Sequence, residues 1–478
     1  MGGMFGVVSK NDCVMDLFFG TDYHSHLGTK RGGMCVLGED GFKTGIHNIA
    51  NAPFRGKFEA ELEEMKGHAG IGTITNADPQ PLTVYSKQGD FAIAIVGRIN
   101  NKEEIVKEMI DNRDGGYFMT MSHKNINNTE IVAALVAKGE TIKDGIKIAQ
   151  DKIEGSVTML VLSEEGLYVA RDKLGRTPMV IGKREDGSMC AASESFAFIN
   201  IGYTYERELG PAEIALLNVG EEKVLQEPGK EMRICSFLWT YFGYTTSIYE
   251  GQNVEFVRNR NGELMAKRER AEGEELNVDY VAGVPDSGVA HALGYANGSK
   301  IRYSRPLIKY TPTWPRSFMP INQDARNLIA KMKLVPVFKM INGKKFILVD
   351  DSIVRGTQLR ETVDYLTENG AEEIHVRSAC PPIMFGCKYH NFSRSVSDMA
   401  LITRQVIVRL EGIEPEEVTQ EILDEYANSY SEKHKIMVEE IRKELGFDSL
   451  KFQRLEDTKE AIGIDSCKLC TYCWDGRE

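Results

Sequence analysis

Lys344-Lys345-Phe346-Ile347-Leu348-Val349-Asp350-Asp351-Ser352-Ile353-Val354-Arg355-Gly356-Thr357-Gln358 decides the fold of the second half of this chain. Its four apolar residues, Phe346 to Val349, have the pattern of a strand buried on both faces, as in a parallel sheet. Two adjacent carboxylates, Asp350 and Asp351, follow at the carboxyl end, where open α/β sheets bind their ligands. Ser352 to Thr357 is a short loop feeding an amphipathic helix marked by Leu359, Val363 and Leu366. Backbone N–H groups, the Ser352 and Thr357 hydroxyls and the Arg355 guanidinium then point at one place, with Gly356 allowing close approach, which suits a phosphate at a helix N-terminus. The carboxylates cannot favour a phosphate. They suit a ribose diol, or a Mg²⁺ held partly through the substrate. A sugar grip beside a phosphate nest describes a phosphoribosyl site.

Working outward, Asp279 to Val284 reads as a second strand, Pro285-Asp286-Ser287-Gly288 as its exit loop and Val289 to Ala296 as a helix. A small loop containing Ser287 and Gly288 lets backbone amides approach an oxyanion. Strand-like and helical runs alternate from residue 229 onward, the mark of a parallel sheet with crossover helices. Before residue 228 short β-like runs predominate (Phe91–Val96, Ser156–Leu162, Gly166–Arg171), with helices expected over Lys102–Arg113 and Glu130–Lys138. That mixture predicts strand layers covered by helices.

At 478 residues the chain exceeds a single core. Hydrophobic content of 42% and charged content of 27% are those of a soluble globular protein. A net charge of −12, without a Lys/Arg block, argues against a nucleic-acid surface, so anionic substrates must be captured by local geometry. No apolar run is long enough for a membrane span, and no signal-peptide pattern is present. Nine cysteines do not make a disulfide framework at this length, which predicts a reducing, cytoplasmic setting. Three of them crowd Cys467-Lys468-Leu469-Cys470-Thr471-Tyr472-Cys473, spacing that fits zinc, a redox pair or part of an iron–sulfur ligand set; Cys235 and Cys387 are further candidates.

The Val349–Thr357 stretch resembles the 5-phosphoribosyl-1-pyrophosphate (PRPP) motif of type I phosphoribosyltransferases, and is most similar to that of the amidophosphoribosyltransferases. Other stretches extend the resemblance over nearly the whole chain: Gly2-Gly3-Met4-Phe5-Gly6-Val7, Arg171 to Pro178, Ala192-Ser193-Glu194-Ser195, and the Pro285–Gly288 loop. It implies an N-terminal-nucleophile (Ntn) αββα sandwich over residues 1–228, then a parallel-sheet phosphoribosyltransferase domain over 229–478. The family's reaction is transfer of phosphoribose from PRPP to ammonia, giving 5-phosphoribosylamine and pyrophosphate. By resemblance, Asp350 and Asp351 hold the ribose hydroxyls, with Mg²⁺ bound alongside PRPP. Ser352, Arg355, Gly356 and Thr357 take the 5′-phosphate, and Asp286, Ser287 and Gly288 border the pyrophosphate. Lys309 and Arg316 belong to a loop that closes over PRPP, and Lys333 is a further phosphate-facing cation. That loop departs from the family between Tyr310 and Pro315, which opens the alternative of a different amine acceptor. The iron–sulfur subgroup implies Cys235, Cys387, Cys470 and Cys473 as ligands of a structural [4Fe–4S] cluster, with zinc as the rival. A homo-oligomer is also implied.

The glutaminase chemistry of that family is expected to be lost. Its nucleophile is a cysteine whose thiol attacks glutamine; the matching residue is Gly2. The arginine that clamps the glutamine carboxylate is matched by Gly70, the Asn-Gly oxyanion pair by Val96-Gly97, and the carboxylate for the substrate amine by Asn128. Cys13 and Cys35 read as buried small hydrophobes instead of substitute nucleophiles. These losses also leave open a regulatory protein that binds PRPP or a nucleotide and acts on a partner protein.

Overall fold

The structure, a computed structural model, describes residues 2–111, 121–122, 125–273, 276–310, 334–390 and 397–477. In the first half, two antiparallel sheets pack face to face. One has seven strands in the order Thr204–Glu208, Val180–Lys183, Met189–Ala192, Gly2–Val8, Ala69–Thr75, Arg31–Gly38 and Gly41–Asn48. The other has six: Glu221–Gln226, Ile214–Asn218, Gly166–Ala170, Gly155–Ser163, Phe91–Ile99 and Leu82–Val84. Alternation along the strands sorts the side chains into layers. Met4 and Val8 point between the sheets beside Leu160 and Leu167, whereas Phe5 and Val7 point outward beneath the helix Val14–Asp22. On the opposite outer face, Ile93 and Ile95 pack against the helices Asn128–Ala137 and Ile142–Lys152. This is the αββα sandwich expected of an Ntn domain.

In the second half, four parallel strands lie in the order Tyr280–Gly283, Lys345–Asp350, Glu373–Ser378 and Ser449–Phe452. The strand Lys345–Asp350 is buried on both faces, as its unbroken apolar run requires. Ile347 and Val349 pack beneath the helices Val254–Ala271 and Val289–Ser299. Phe346 and Leu348 pack on the other side against Leu359, Val363 and Leu366 of the helix Thr357–Glu368. Register sets Val349 beside Gly283, so the exit loops of two adjacent strands open at the same end of the sheet. The expected type I phosphoribosyltransferase sheet is therefore present. Among the described residues, no helix is long and apolar enough to cross a membrane.

The halves share packing. One apolar core joins Met4, Leu160 and Ile181 to Trp239, Val254, Leu469 and Trp474. Buried Glu194 accepts hydrogen bonds from the Tyr249 hydroxyl at 2.6 Å and from Ser247, holding the two halves together.

Candidate functional site

The carboxyl end of the parallel sheet brings together most of the residues expected there. Ser287 Oγ donates to Asp350 Oδ1 at 2.7 Å, tying the Pro285–Gly288 loop to the acidic pair. The Asp351 N–H donates to the same oxygen at 2.9 Å, and Ser352 Oγ donates to Asp351 Oδ1. Asp351 is buried and Asp350 half-buried. Burial raises the pKa of both carboxyls, and for Asp351 the neighbouring Asp350 charge adds to the effect. Such a pair is suited to a diol or a cation that relieves the repulsion.

Two glycines make this geometry possible. A side chain at Gly288 would place its Cβ 2.0 Å from the Val349 carbonyl oxygen, so only glycine lets the loop lie against the strand end. Gly356 sits at φ +75° at the start of the helix Thr357–Glu368, in the left-handed region that glycine favours. Arg355 and Thr357 are exposed around it and Ser352 is half-buried, leaving the loop open to a ligand. Asp286 also adopts a left-handed conformation, at φ +70°, and its carboxylate accepts from Lys309 Nζ, so Lys309 reaches the same loop. Arg316 and Lys333 lie outside the described residues, as does the divergent stretch after Tyr310.

Sequence reasoning missed Arg258. Its guanidinium donates to the carbonyls of Trp239, Tyr241 and Gly243 at 2.8, 2.9 and 2.9 Å. Burial lowers its pKa, and the Asp351 charge opposes that shift, so a buried cation stands behind the acidic pair. An arginine in mid-helix carries no local pattern that would have revealed this.

The cleft of the first half lies at Gly2, lined also by Thr75, Asp78, Val96, Gly97 and Asn128. No guanidinium or thiol lines it among the described residues. A Cβ on Gly2 would sit 2.8 Å from the Ile74 carbonyl oxygen, and Val96 offers no side-chain donor. The expectation about Gly70 needs correction. Gly70 pairs with Val7, at the far end of the strand from Gly2, and a side chain there would meet Leu17 Cδ2 at 2.6 Å. The residue opposite Gly2 is Thr75, so a clamp acting on the same substrate would stand there. Asn128 is correctly placed in the cleft, yet a carboxylate is nearby. Asp78 Oδ2 accepts from the Asn128 N–H at 2.9 Å and from its Nδ2 at 2.8 Å. Cys13 and Cys35 are fully buried, with thiol pKa values pushed up by burial to about 12 and about 11. Neither is a nucleophile in waiting.

The four cysteines proposed as ligands line one cavity. The parallel pair Ile234–Cys235 and Leu469–Cys470 sets Cys235 beside Cys470. A hydrogen bond from the Cys473 thiol lowers the pKa of Cys387 to about 7, helped by the N–H groups of Tyr389 and His390. Cys467 is exposed, outside the set. Among the described residues, no group of three His, Cys, Asp or Glu side chains stands in ready metal-ligating geometry. The chemistry of the donors, four thiols on one small enclosed space, nonetheless fits an iron–sulfur cluster or zinc.

Known proteins share this architecture. A glutamine amidotransferase domain model matches residues 70–200. The amidophosphoribosyltransferase of Methanothermobacter thermautotrophicus is 33% identical over 87% of this chain and 81% of its own length. That of Bacillus subtilis is 31% identical over 99% of this chain and 93% of its own. The solved structure of the B. subtilis glutamine PRPP amidotransferase, complexed with ADP and GMP, superposes with a TM-score of 0.82 at 30% identity, covering 99% of this chain and 96% of that one. On this identity and coverage, and on the likeness of its two-sheet sandwich and parallel sheet to that solved structure, this chain belongs to the amidophosphoribosyltransferase family.

Proposed function

We propose that this protein transfers phosphoribose from PRPP to free ammonia, and that it does not hydrolyse glutamine. The observation that carries the proposal is the contrast at two strand ends. Asp350 and Asp351 stand paired, the second of them buried, beside an open phosphate loop, while the cleft at Gly2 presents no thiol and no guanidinium among the described residues. The domain boundary on this reading falls between residues 228 and 229, just after the last strand of the six-stranded sheet, Glu221–Gln226. The setting is cytoplasmic, and the active form is a homo-oligomer.

Asp350 and Asp351 accept hydrogen bonds from the ribose hydroxyls, and amides of the Ser352–Thr357 loop, with Arg355, hold the 5′-phosphate. Asp286, Ser287 and Gly288 border the pyrophosphate, and Lys309 exchanges its Asp286 partner for a pyrophosphate oxygen. By the family resemblance, Arg316 and Lys333 supply further positive charge for PRPP. Mg²⁺ bound with PRPP would neutralise charge on the departing pyrophosphate. The C1–oxygen bond to pyrophosphate breaks, the C1–nitrogen bond to ammonia forms, and the amine releases a proton to water. A transition state with a cationic sugar needs positioning and leaving-group neutralisation more than a protein nucleophile. The transferase half therefore needs nothing from the Gly2 cleft when ammonia is supplied. Cys235, Cys387, Cys470 and Cys473 would hold a [4Fe–4S] cluster, or zinc, as a structural staple of the C-terminal segment.

The test is anaerobic, PRPP-dependent pyrophosphate release with Mg²⁺, comparing no amine, glutamine and ammonium chloride. Turnover with ammonium but not glutamine is expected. Turnover with glutamine overturns the loss of the glutaminase. No turnover with either, despite PRPP binding, overturns the ammonia reaction and leaves another acceptor or regulation of a partner protein.

A further inference from the structure

Among the described residues of the first half, Arg176 alone lines the four-cysteine cavity. It is 2% exposed, and it touches each of the three chain segments that bring thiols there. Its carbonyl accepts the Cys235 N–H at 3.2 Å. Its Nη1 donates to Cys470 Sγ at 3.0 Å. Its guanidinium carbon lies 3.4 Å from the centroid of the Tyr389 ring, two residues beyond Cys387. The Nε, also buried, has no hydrogen-bond partner among the described residues. A buried guanidinium is costly unless anions surround it. Neutral thiols do not repay that cost; thiolates do.

We propose that Arg176 is the charge-compensating residue of the metal site, donating to the Cys470 sulfur and stabilising the anionic thiolate set. The inference rests on the metal reading given above. A [4Fe–4S]²⁺ core with four thiolates carries a net charge of −2, and one-electron reduction makes it −3, so a buried cation favours the reduced form. Hydrogen bonds to ligand sulfurs tune cluster potentials in the same sense. Arg176 also gives the first half a task independent of glutamine. Through Arg176 its segment reaches the metal site, and the Arg233 N–H donating to the Leu174 carbonyl at 2.7 Å adds a second contact between that segment and the second half.

The experiment uses the full chain purified without oxygen. Iron and zinc content, the midpoint of a dithionite titration followed by electron paramagnetic resonance, and the rate of metal loss to a chelator are measured. Arg176→Met is expected to disfavour reduction about tenfold, ~59 mV for one electron, and to lose metal faster. Arg176→Lys keeps the charge but cannot stack on Tyr389 and reach Cys470 together. It is expected to hold its potential nearer to that of the unaltered protein and still lose metal faster. If Arg176→Met leaves both the potential and the rate of metal loss unchanged, the proposal is overturned. Should that variant not fold, unchanged metal loss in Arg176→Lys overturns it. If the unaltered protein binds zinc, the chelator measurement decides alone. If it binds neither metal, the reading of the thiol site fails and this inference fails with it; a potential and a rate of metal loss both unmoved on a bound cluster sink only the role of Arg176.

Discussion

Asp78 and Asp351 are carboxylates at candidate sites in the two halves, and they are held very differently. Asp78 is half-buried and receives two hydrogen bonds from Asn128, one from the backbone and one from the side-chain amide. Asp351 is buried against Asp350, with its pKa driven up by burial and by its neighbour's charge. The same contrast runs through the surroundings. At the transferase end, Asp286 and Gly356 occupy the left-handed region and Gly288 presses against a strand carbonyl. Around Gly2, Val96 and Thr75 are neutral, and Thr75 has its hydroxyl engaged by the Ala77 N–H at 2.9 Å. Local cost of this kind persists where a ligand relieves it. The transferase end keeps that cost, whereas the polar groups of the Gly2 cleft are largely satisfied.

Asp351→Asn separates the two sites most strongly. Loss of a group that stabilises developing charge typically costs about a hundredfold or more in rate, and a loss of that order in kcat/KM for PRPP is expected with ammonium as acceptor. The same change should stabilise the protein without ligand at neutral pH. A carboxyl whose pKa is raised on folding binds its proton more readily in the native state. Its contribution therefore favours the fold at low pH and is lost as the pH rises from the unfolded value of 3.8 through the folded one. The melting temperature of the unaltered protein without PRPP should fall along that rise, and Asp351→Asn should flatten the fall. A variant that loses both activity and stability would mean that Asp351 belongs to the core and not to a site.

Gly356→Ala tests the backbone cost directly. An alanine at φ +75° is strained by about 1–2 kcal/mol. Its Cβ would also meet Leu445 Cδ2 at 2.6 Å, so the helix start must shift. Lower thermal stability and a raised KM for PRPP are expected together. Stability lost with KM unchanged would separate this turn from the phosphate loop.

Asp78→Ala is the matching change in the first half. It removes the acceptor for the first N–H of the helix Asn128–Ala137, worth roughly 1 kcal/mol for groups of this kind. Stability should fall by that amount while ammonium-dependent turnover changes less than about twofold, within the scatter expected of a distant site. A large rise in the KM for ammonium would instead make the cleft a working amine site.

What was legible in the sequence follows the range of the forces involved. The strand Lys345–Asp350 and its helix were readable because burial on both faces and a 3.6-residue period leave local marks at Ile347, Leu359 and Val363. The buried state of Cys13 and Cys35 was readable from apolar neighbours. The carboxylate clamp was misplaced because Gly67-His68 offers a local match, whereas the relevant position is fixed by register with another strand, Gly2 to Thr75. Arg176 reaches Cys470 across 294 positions and Arg258 lies behind Asp351 through tertiary packing, and neither leaves a periodic trace.

The smallest expected effect comes from trying to restore what the first half lacks. Gly2→Cys combined with Val96→Asn supplies a thiol and a side-chain donor at the matching positions. The nucleophile is then present, but among the described residues the cleft still has no guanidinium to hold a glutamine carboxylate, and Thr75 stands opposite residue 2. The new Cβ must also escape the Ile74 carbonyl oxygen at 2.8 Å, which turns the thiol away from any pose set by the present backbone. A thiol without substrate positioning forfeits the proximity on which covalent catalysis depends. Glutamine-dependent pyrophosphate release should therefore stay at the level without amine, with ammonium-dependent release unchanged. Glutamine turnover by this double variant would show that the cleft still binds glutamine. The difference between the halves would then reduce to one missing sulfur.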